Sequence, residues 1–225
     1  MVLLKQASLI LWKDLLLELR RRESVLTMFF FGTLLLFVFH FAFDVPPQTI
    51  AELTPALLWL AFLFTGTLGL AQLFGLEKEN RCLDALLLAP VDRGALFVGK
   101  VSFNFLLMAL VEIVVMPLFW ILFNLHSWTH MPALFGIVFL GTLGFCVLGT
   151  LMSAITMTAR ARELILPVVF FPLIIPLILA TIRCMEAILR TGQLGDTAAW
   201  LRLLIGFDVI FLTVGVLIFD WVVEA

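Results

Sequence analysis

Three carboxylates lie inside long apolar stretches of the sequence, where ionisable side chains are rare: Glu112, Asp208 and Asp220. A charge in the middle of a bilayer is costly, so such residues are protonated, paired or in contact with water, and they often line a substrate or proton path. Glu112 lies near the middle of the apolar stretch at 101–123. Asp208 lies one or two helical turns inside the stretch at 203–223, near Arg202. These two acids are therefore our candidate functional residues within the membrane, with packing as the alternative.

Three histidines, His40, His126 and His130, form a weaker candidate set. Imidazole is a common ligand of heme iron, and His126 and His130 are four residues apart. The alternative is that all three are interfacial residues. No metalloprotease, nucleophile-elbow or aspartate-rich metal motif is present, so we expect no catalytic residue and no metal site.

Residues 94–101 match the phosphate-binding loop motif except at its last position. Gly94 to Lys100 matches G-x-x-x-x-G-K, but Val101 stands where that loop needs a hydroxyl for Mg²⁺. No strand precedes the segment, and an apolar stretch follows at once. We reject it as a nucleotide site and expect any ATP to be hydrolysed by another chain.

The elements that hold these residues are predicted to be membrane helices. Of 225 residues, 63% are hydrophobic and 13% are charged, and mean hydropathy is +1.17. This composition excludes a secreted disulfide scaffold, a disordered chain and an ordinary cytosolic enzyme. The apolar stretches do not alternate as barrel strands do. We predict an all-α integral membrane domain over residues 1–225, with spans at about 25–43, 56–76, 101–123, 132–157, 164–182 and 203–223.

The placement of Lys and Arg predicts the orientation. With the N-terminus in the cytoplasm, eleven of these residues lie in inner segments and three in the outer segment 183–202. Both termini are then cytoplasmic. The first 24 residues place Leu4, Leu11 and Leu19 on one helical face and Asp14 and Glu18 largely opposite. This pattern suits an interfacial amphipathic helix, either a topology anchor or an elbow that transmits movement.

A short helix is predicted at 80–89, within the loop at 77–100. Asn80 is a plausible N-cap and Pro90 a stop. From the residues alone, its leucine face has two equal alternatives: it folds onto its own bundle, or it docks into a groove of a soluble partner. The candidate docking residues are Glu77, Asn80, Leu83, Asp84, Leu86, Leu87 and Pro90.

Two further patterns concern the predicted spans. Pro167, Pro172 and Pro176 fall in the fifth span, so we expect a kinked or broken helix there, either static or acting as a hinge. The fourth span carries small residues at helical spacing, which favours close helix packing. They are Thr142, Cys146, Gly149, Ser153 and Thr156.

The sequence resembles the CcmB-type heme exporter B permeases of cytochrome c biogenesis. The resemblance rests on 83–90 (LDALLLAP) followed by 99–101 (GKV), on 141–145 (GTLGF), and on the proline-rich 164–180. The six spans and the basic amphipathic start agree with that family.

The resemblance implies the membrane subunit of a type-2 ABC exporter in the bacterial inner membrane. Two copies would pair with two copies of a separate CcmA-like ATPase that binds ATP and Mg²⁺, and residues 80–89 would be the coupling helix. A CcmC-like heme-handling protein and a small CcmD-like single-span protein would complete the complex. The complex would deliver or release heme to a periplasmic chaperone. The alternatives are a type-2 permease for another lipid, glycan or drug, and a stand-alone membrane enzyme or proton-coupled carrier that uses Glu112.

Overall fold

Helices make up nearly all of the chain that the computed structural model describes, which is residues 2–42, 47–79, 92–123, 128–157 and 162–224. Seven α-helices occur in those residues, and two 3₁₀ helices, Trp128–His130 and Gly195–Thr197, precede α5 and α7. The α-helices are α1 (Val2–Arg21), α2 (Glu23–Ala42), α3 (Pro47–Glu79), α4 (Arg93–Leu122), α5 (Met131–Met157), α6 (Arg162–Thr191) and α7 (Ala198–Glu224).

All six predicted spans are confirmed as helices that are long and apolar enough to cross a membrane, namely α2 to α7. The remaining helix, α1, is the predicted amphipathic one. A membrane helix is favoured here because every backbone polar group is satisfied within the segment. The protein is therefore a multi-pass membrane protein.

Three helices extend well beyond the predicted spans. α3 begins at Pro47, α4 begins at Arg93, and α6 continues to Thr191. Hydropathy marks where charges begin, whereas a helix ends where a cap or a turn residue stops it. The predicted outer segment 183–202 is therefore much shorter: Gly192, at φ +73°, ends α6, and its N–H donates to the Ile188 carbonyl at 2.9 Å.

The junction of α1 and α2 is a one-residue turn. Arg22 has a φ of +58°, and its N–H still donates to the carbonyl of Glu18 at 2.6 Å. The Glu18 carboxylate accepts from the Ser24 hydroxyl at 2.8 Å and from the Val25 N–H at 3.0 Å. A carboxylate that accepts from free N–H groups caps the start of a helix, so the last turn of α1 fixes the start of the first span.

α5 is the centre of the bundle, and it packs against α3, α4, α6 and α7. Its predicted stripe of small residues is buried at Thr142, Cys146, Gly149 and Ser153. A Cβ on Gly149 would overlap the Leu70 side chain, so the stripe permits close approach as expected; the side chain of Thr156 lies outside the described residues. Few side chains of α2 and α7 are buried, so lipid or partner helices would lie against these two helices.

The fifth span is not broken, and a kink within it stays a prediction. α6 runs without interruption from Arg162 to Thr191 through Pro167, Pro172 and Pro176. Pro172 and Pro176 are exposed on its outer surface. A hinge at these prolines stays a prediction.

Candidate functional site

Glu112 is completely buried and has one described partner. The hydroxyl of Thr142, on α5, donates a short hydrogen bond to Glu112 Oε1. Oε2 is also buried and meets no hydrogen-bond donor in the described part of the chain. Because isolated buried carboxyl oxygens are costly, this acid is an unusual choice for a purely packing position.

Asp208, on α7, is 5% exposed, and neither carboxyl oxygen has a hydrogen-bond partner among the described residues. It lies against Gly144 of α5, where a Cβ would overlap Asp208 Oδ1. Arg202, which the sequence placed nearby, is exposed. Six residues separate the two along one helix, which amounts to about 9 Å and roughly 240° of rotation, so Arg202 points away from the carboxylate.

Glu112 and Asp208 contact α5 at nearly the same depth along its axis, but on nearly opposite sides of the helix. Thr142 and Gly144 are two residues apart, so their side-chain directions differ by about 200° around the helix axis. Glu112 contacts Thr142, and Asp208 lies against Gly144. The structure therefore does not gather the acids into one site; it places the backbone of α5 between them.

A buried ion pair that the sequence analysis missed joins α1 to α4. Lys100 Nζ lies 2.9 Å from Asp14 Oδ2, and these side chains are only 2% and 6% exposed. Lys13 Nζ approaches Asp14 Oδ1 at 3.0 Å. Asp14 thus takes two ammonium contacts, which is the kind of pairing that makes a buried charge tolerable.

The environment of Asp14 corrects the interpretation of α1. Asp14 and Glu18, expected on a polar face away from the leucines, are buried against the bundle. Leu4, Trp12 and Leu19 are instead more than half exposed. The apolar side of α1 faces outward, as a helix in the membrane interface requires, and its two acids are used for internal contacts.

Asn104 continues the polar face of α4 toward Glu112. It is completely buried, and neither its Oδ1 nor its Nδ2 has a hydrogen-bond partner among the described residues. Lys100 and Asn104 are four residues apart and share one face of the helix. Glu112 is eight residues further on, about 80° around the axis from Asn104. That spacing was visible in the sequence, but starting the span at Val101 placed Lys100 in a loop.

The histidines do not form a cluster in the described residues. His40 packs edge-on against Phe123, with ring centroids 5.5 Å apart. His130 packs against Gly192, where a Cβ would lie 2.8 Å from its Cε1. His126 lies outside the described residues. No group of three His, Cys, Asp or Glu side chains able to hold a metal occurs in the described ranges. Heme ligation by these residues stays a prediction.

The predicted coupling helix falls outside the described residues, which resume at 92. Asn80, Leu83, Asp84, Leu86, Leu87 and Pro90 all lie there, and Glu77 lies in α3 with its side chain undescribed. The two helices that flank the segment are described. α3 ends at Glu79, and α4 begins with an N-cap in which Asp92 Oδ1 accepts from the Ala95 N–H at 3.2 Å.

Comparison with known proteins assigns the family. The family model described as CcmB protein matches residues 5–224. The heme exporter protein B of Pseudomonas aeruginosa is 26% identical over 86% of each chain, and that of Rhodobacter capsulatus is 31% identical over 60% of this chain and 62% of its own. The heme exporter protein B of Haemophilus influenzae is 24% identical over 79% of this chain and 80% of its own. With its six apolar helices and a match over almost its whole length, this chain belongs to the CcmB protein family.

Proposed function

We propose that this chain is the membrane subunit of an ABC transporter that acts in heme delivery or release during cytochrome c maturation. The observation that carries the proposal is the family match over residues 5–224, together with relatives named heme exporter protein B. Heme, the handled substrate, would pass to a periplasmic chaperone. The energy would come from ATP and Mg²⁺ bound by a separate CcmA-like subunit.

The segment at 80–89 is the proposed docking point for that ATPase. Its leucine face suits helix-in-groove recognition, and it connects α3 to α4. The beginning of α4 packs against both α1 and the last turns of α7. A force applied to this segment would therefore reach α3 and α4 directly, and α1 and α7 through α4.

The proposed orientation puts this end of the bundle in the cytoplasm and the chain in the bacterial inner membrane. Arg20, Arg21 and Arg22 are exposed at the end of α1, where anionic headgroups would meet them. The opposite end, with His40 and His130, then faces the periplasm. The outward apolar surfaces of α2 and α7 are available to lipid and to the further proposed partners: a second copy of the chain, a CcmC-like heme-handling protein and a CcmD-like single-span protein.

Affinity isolation from native membranes tests the assignment. The tagged chain is expected to retain an ABC ATPase and heme-handling proteins, with a heme absorbance band in the eluate. The double variant Leu86→Asp with Leu87→Asp is expected to lose the ATPase, because two carboxylates cannot enter an apolar groove without a large desolvation cost. Gln193→Asp, exposed at the other end of the bundle, is the matched control and is expected to retain it. Recovery of the ATPase with the loop variant would refute docking by 80–89.

A second candidate, a proton-coupled carrier, is favoured by one observation: Glu112 is completely buried with Oε2 unpartnered in the described residues. Glu112→Gln keeps the shape and an oxygen that can accept from Thr142, but it cannot exchange a proton. Normal cytochrome c maturation in this variant would remove Glu112 from the mechanism. Loss of maturation with the ATPase still bound would place the acid in the transport step.

A further inference from the structure

The first two turns of α4 pack closely against α1. Gln6 Oε1 accepts from the Asp92 N–H at 3.2 Å. A Cβ on Gly99 would lie 3.0 Å from Ile10 Cβ and 3.1 Å from the carbonyl oxygen of Ala7. The two backbones therefore meet with no space for a side chain at Gly99, one residue before the buried Lys100.

The other side of these turns packs against the end of α7. A Cβ on Gly94 would lie 3.0 Å from Val216 Cγ1. The rings of Phe97 and Phe219 have centroids 5.3 Å apart, and Arg93 Nε lies 3.6 Å from Asp220 Oδ1. Asp220, the third acid found in an apolar stretch, thus has a described partner at the exposed end of the bundle.

These contacts differ in how readily they can slide. Two apolar surfaces can slide past each other and form new apolar contacts at little cost. An exposed ion pair contributes little to stability. The Asp14–Lys100 pair is different, because pulling its members apart would leave two charges buried without partners. The absence of a side chain at Gly99 adds a steric constraint, since the neighbouring turn of α1 fits directly against the backbone.

We propose that Asp14, Lys100 and Gly99 lock α1 to the start of α4, so that these two segments move as one rigid unit while the end of α7 can slide against them. We name this unit the inner clamp: residues 6–14 and 92–100. The proposal rests on the proposed function, because the docked ATPase would be what displaces residues 80–91. Asp14 and Lys100 are then positioning residues: they transmit a displacement without touching substrate or nucleotide.

A reversible cross-link in the assembled complex tests rigidity. In a chain whose cysteines Cys82, Cys146 and Cys184 are replaced by Ala, Ile10→Cys is combined with Gly99→Cys. The built Cβ separation at this pair is 3.0 Å, shorter than the roughly 3.5–4.5 Å of a disulfide, so the two turns must part by about 0.5 Å to accept the bond. Its formation is scored by protection from a thiol-reactive polymer. Oxidation is expected to leave ATP hydrolysis by the complex unchanged. Inhibition that a reductant reverses would overturn the proposal, because α1 and α4 would then have to separate during the cycle.

A charge removal tests the role of the ion pair. Lys100→Met keeps the length of the side chain and removes the charge; it is expected to keep the ATPase bound and to lose ATP-dependent cytochrome c maturation. The 10–99 disulfide in the same chain is expected to restore maturation, since the cross-link replaces the ion pair. Failure of that rescue would overturn the positioning role. Arg190→Met, which removes one member of the exposed Arg190–Glu52 pair, is the matched control and is expected to behave as the wild type.

A second cross-link and the ATPase control separate failure of the inner clamp from failure of the proposed function. If the double-cysteine chain does not accumulate, Gln6→Cys with Asp92→Cys, bridged by a short bis-maleimide, spans the same two helices. If the wild-type chain retains no ATPase, the proposed function fails, and force transmission through the inner clamp fails with it. If the ATPase is retained and active but the cross-link inhibits it, only the inner clamp is wrong.

Discussion

Replacing Gly144 by Ala is expected to destabilise the bundle at the contact between α5 and Asp208. The new Cβ would overlap Asp208 Oδ1 and Leu177 Cδ1. Carbon atoms prefer separations of about 3.5–4.0 Å, so Leu177 must move by about an ångström within a packed core. Overpacking of this kind costs about 1–3 kcal/mol.

Gly136→Ala is the matched control on the same helix. Nothing lies within 4 Å of the position that its Cβ would take. The substitution should therefore stabilise α5 by up to about 1 kcal/mol through helix propensity. A change of 1 kcal/mol shifts the melting temperature of a chain of this size by about 2–4 °C. Because both substitutions gain helix propensity, we expect Gly144→Ala to melt about 2–12 °C below Gly136→Ala in detergent, and Gly136→Ala to melt at or slightly above wild type.

A double-mutant cycle measures how much of the destabilisation by Gly144→Ala comes from the overlap with Asp208. In an Asp208→Ala background, one of the two overlaps is gone, so Gly144→Ala should cost less by about 0.5–3 kcal/mol. The reasoning is refuted if Gly144→Ala is as stable as Gly136→Ala. It is also refuted if the effects of Gly144→Ala and Asp208→Ala simply add, because Asp208 would then not lie against Gly144.

Three further changes test local features of the fold through the same melting measurement. Thr142→Val removes the only described donor to Glu112 and should cost about 1–3 kcal/mol, whereas Thr142→Ser should cost little; equal stability of the two would contradict the hydrogen bond. Glu18→Ala removes the cap at the start of α2 and should cost about 0.5–2 kcal/mol, and an unchanged melting temperature would argue against this cap. Arg22→Gly relieves a left-handed backbone that costs a non-glycine residue about 1–2 kcal/mol, so it should stabilise the chain or leave it unchanged; a clear loss would contradict the positive φ.

The sequence predicted the spans well because each follows from a single strong signal. Apolar stretches of helical length leave no other structure that satisfies the backbone in lipid, so all six helices were located. Their ends were predicted less well, because Arg183 and Arg190 ended the hydropathy signal while the backbone remained helical up to Gly192. Of the kink or break expected from the prolines, the break is excluded by the continuous α6, and the kink stays a prediction.

Contacts between side chains on different helices could not be predicted from composition and residue spacing. Glu112 and Asp208 were identified as unusual from their neighbours in sequence, yet their positions on either side of α5 depend on how three helices pack. Asp14 and Lys100 were read as members of a polar face and a loop. Only the tertiary arrangement of α1 against α4 shows that they are buried together at 2.9 Å.

We propose that this chain is required for heme handling in cytochrome c maturation and depends on a partner docked at 80–89. The most direct measurement is the amount of covalently attached heme in c-type cytochromes of the native host, quantified in a deletion strain and after complementation. We expect loss of holo-cytochromes on deletion, recovery with the wild-type chain and no recovery with the Leu86→Asp, Leu87→Asp variant. Normal holo-cytochrome levels in the deletion strain would contradict this proposal and would favour a permease for another substrate.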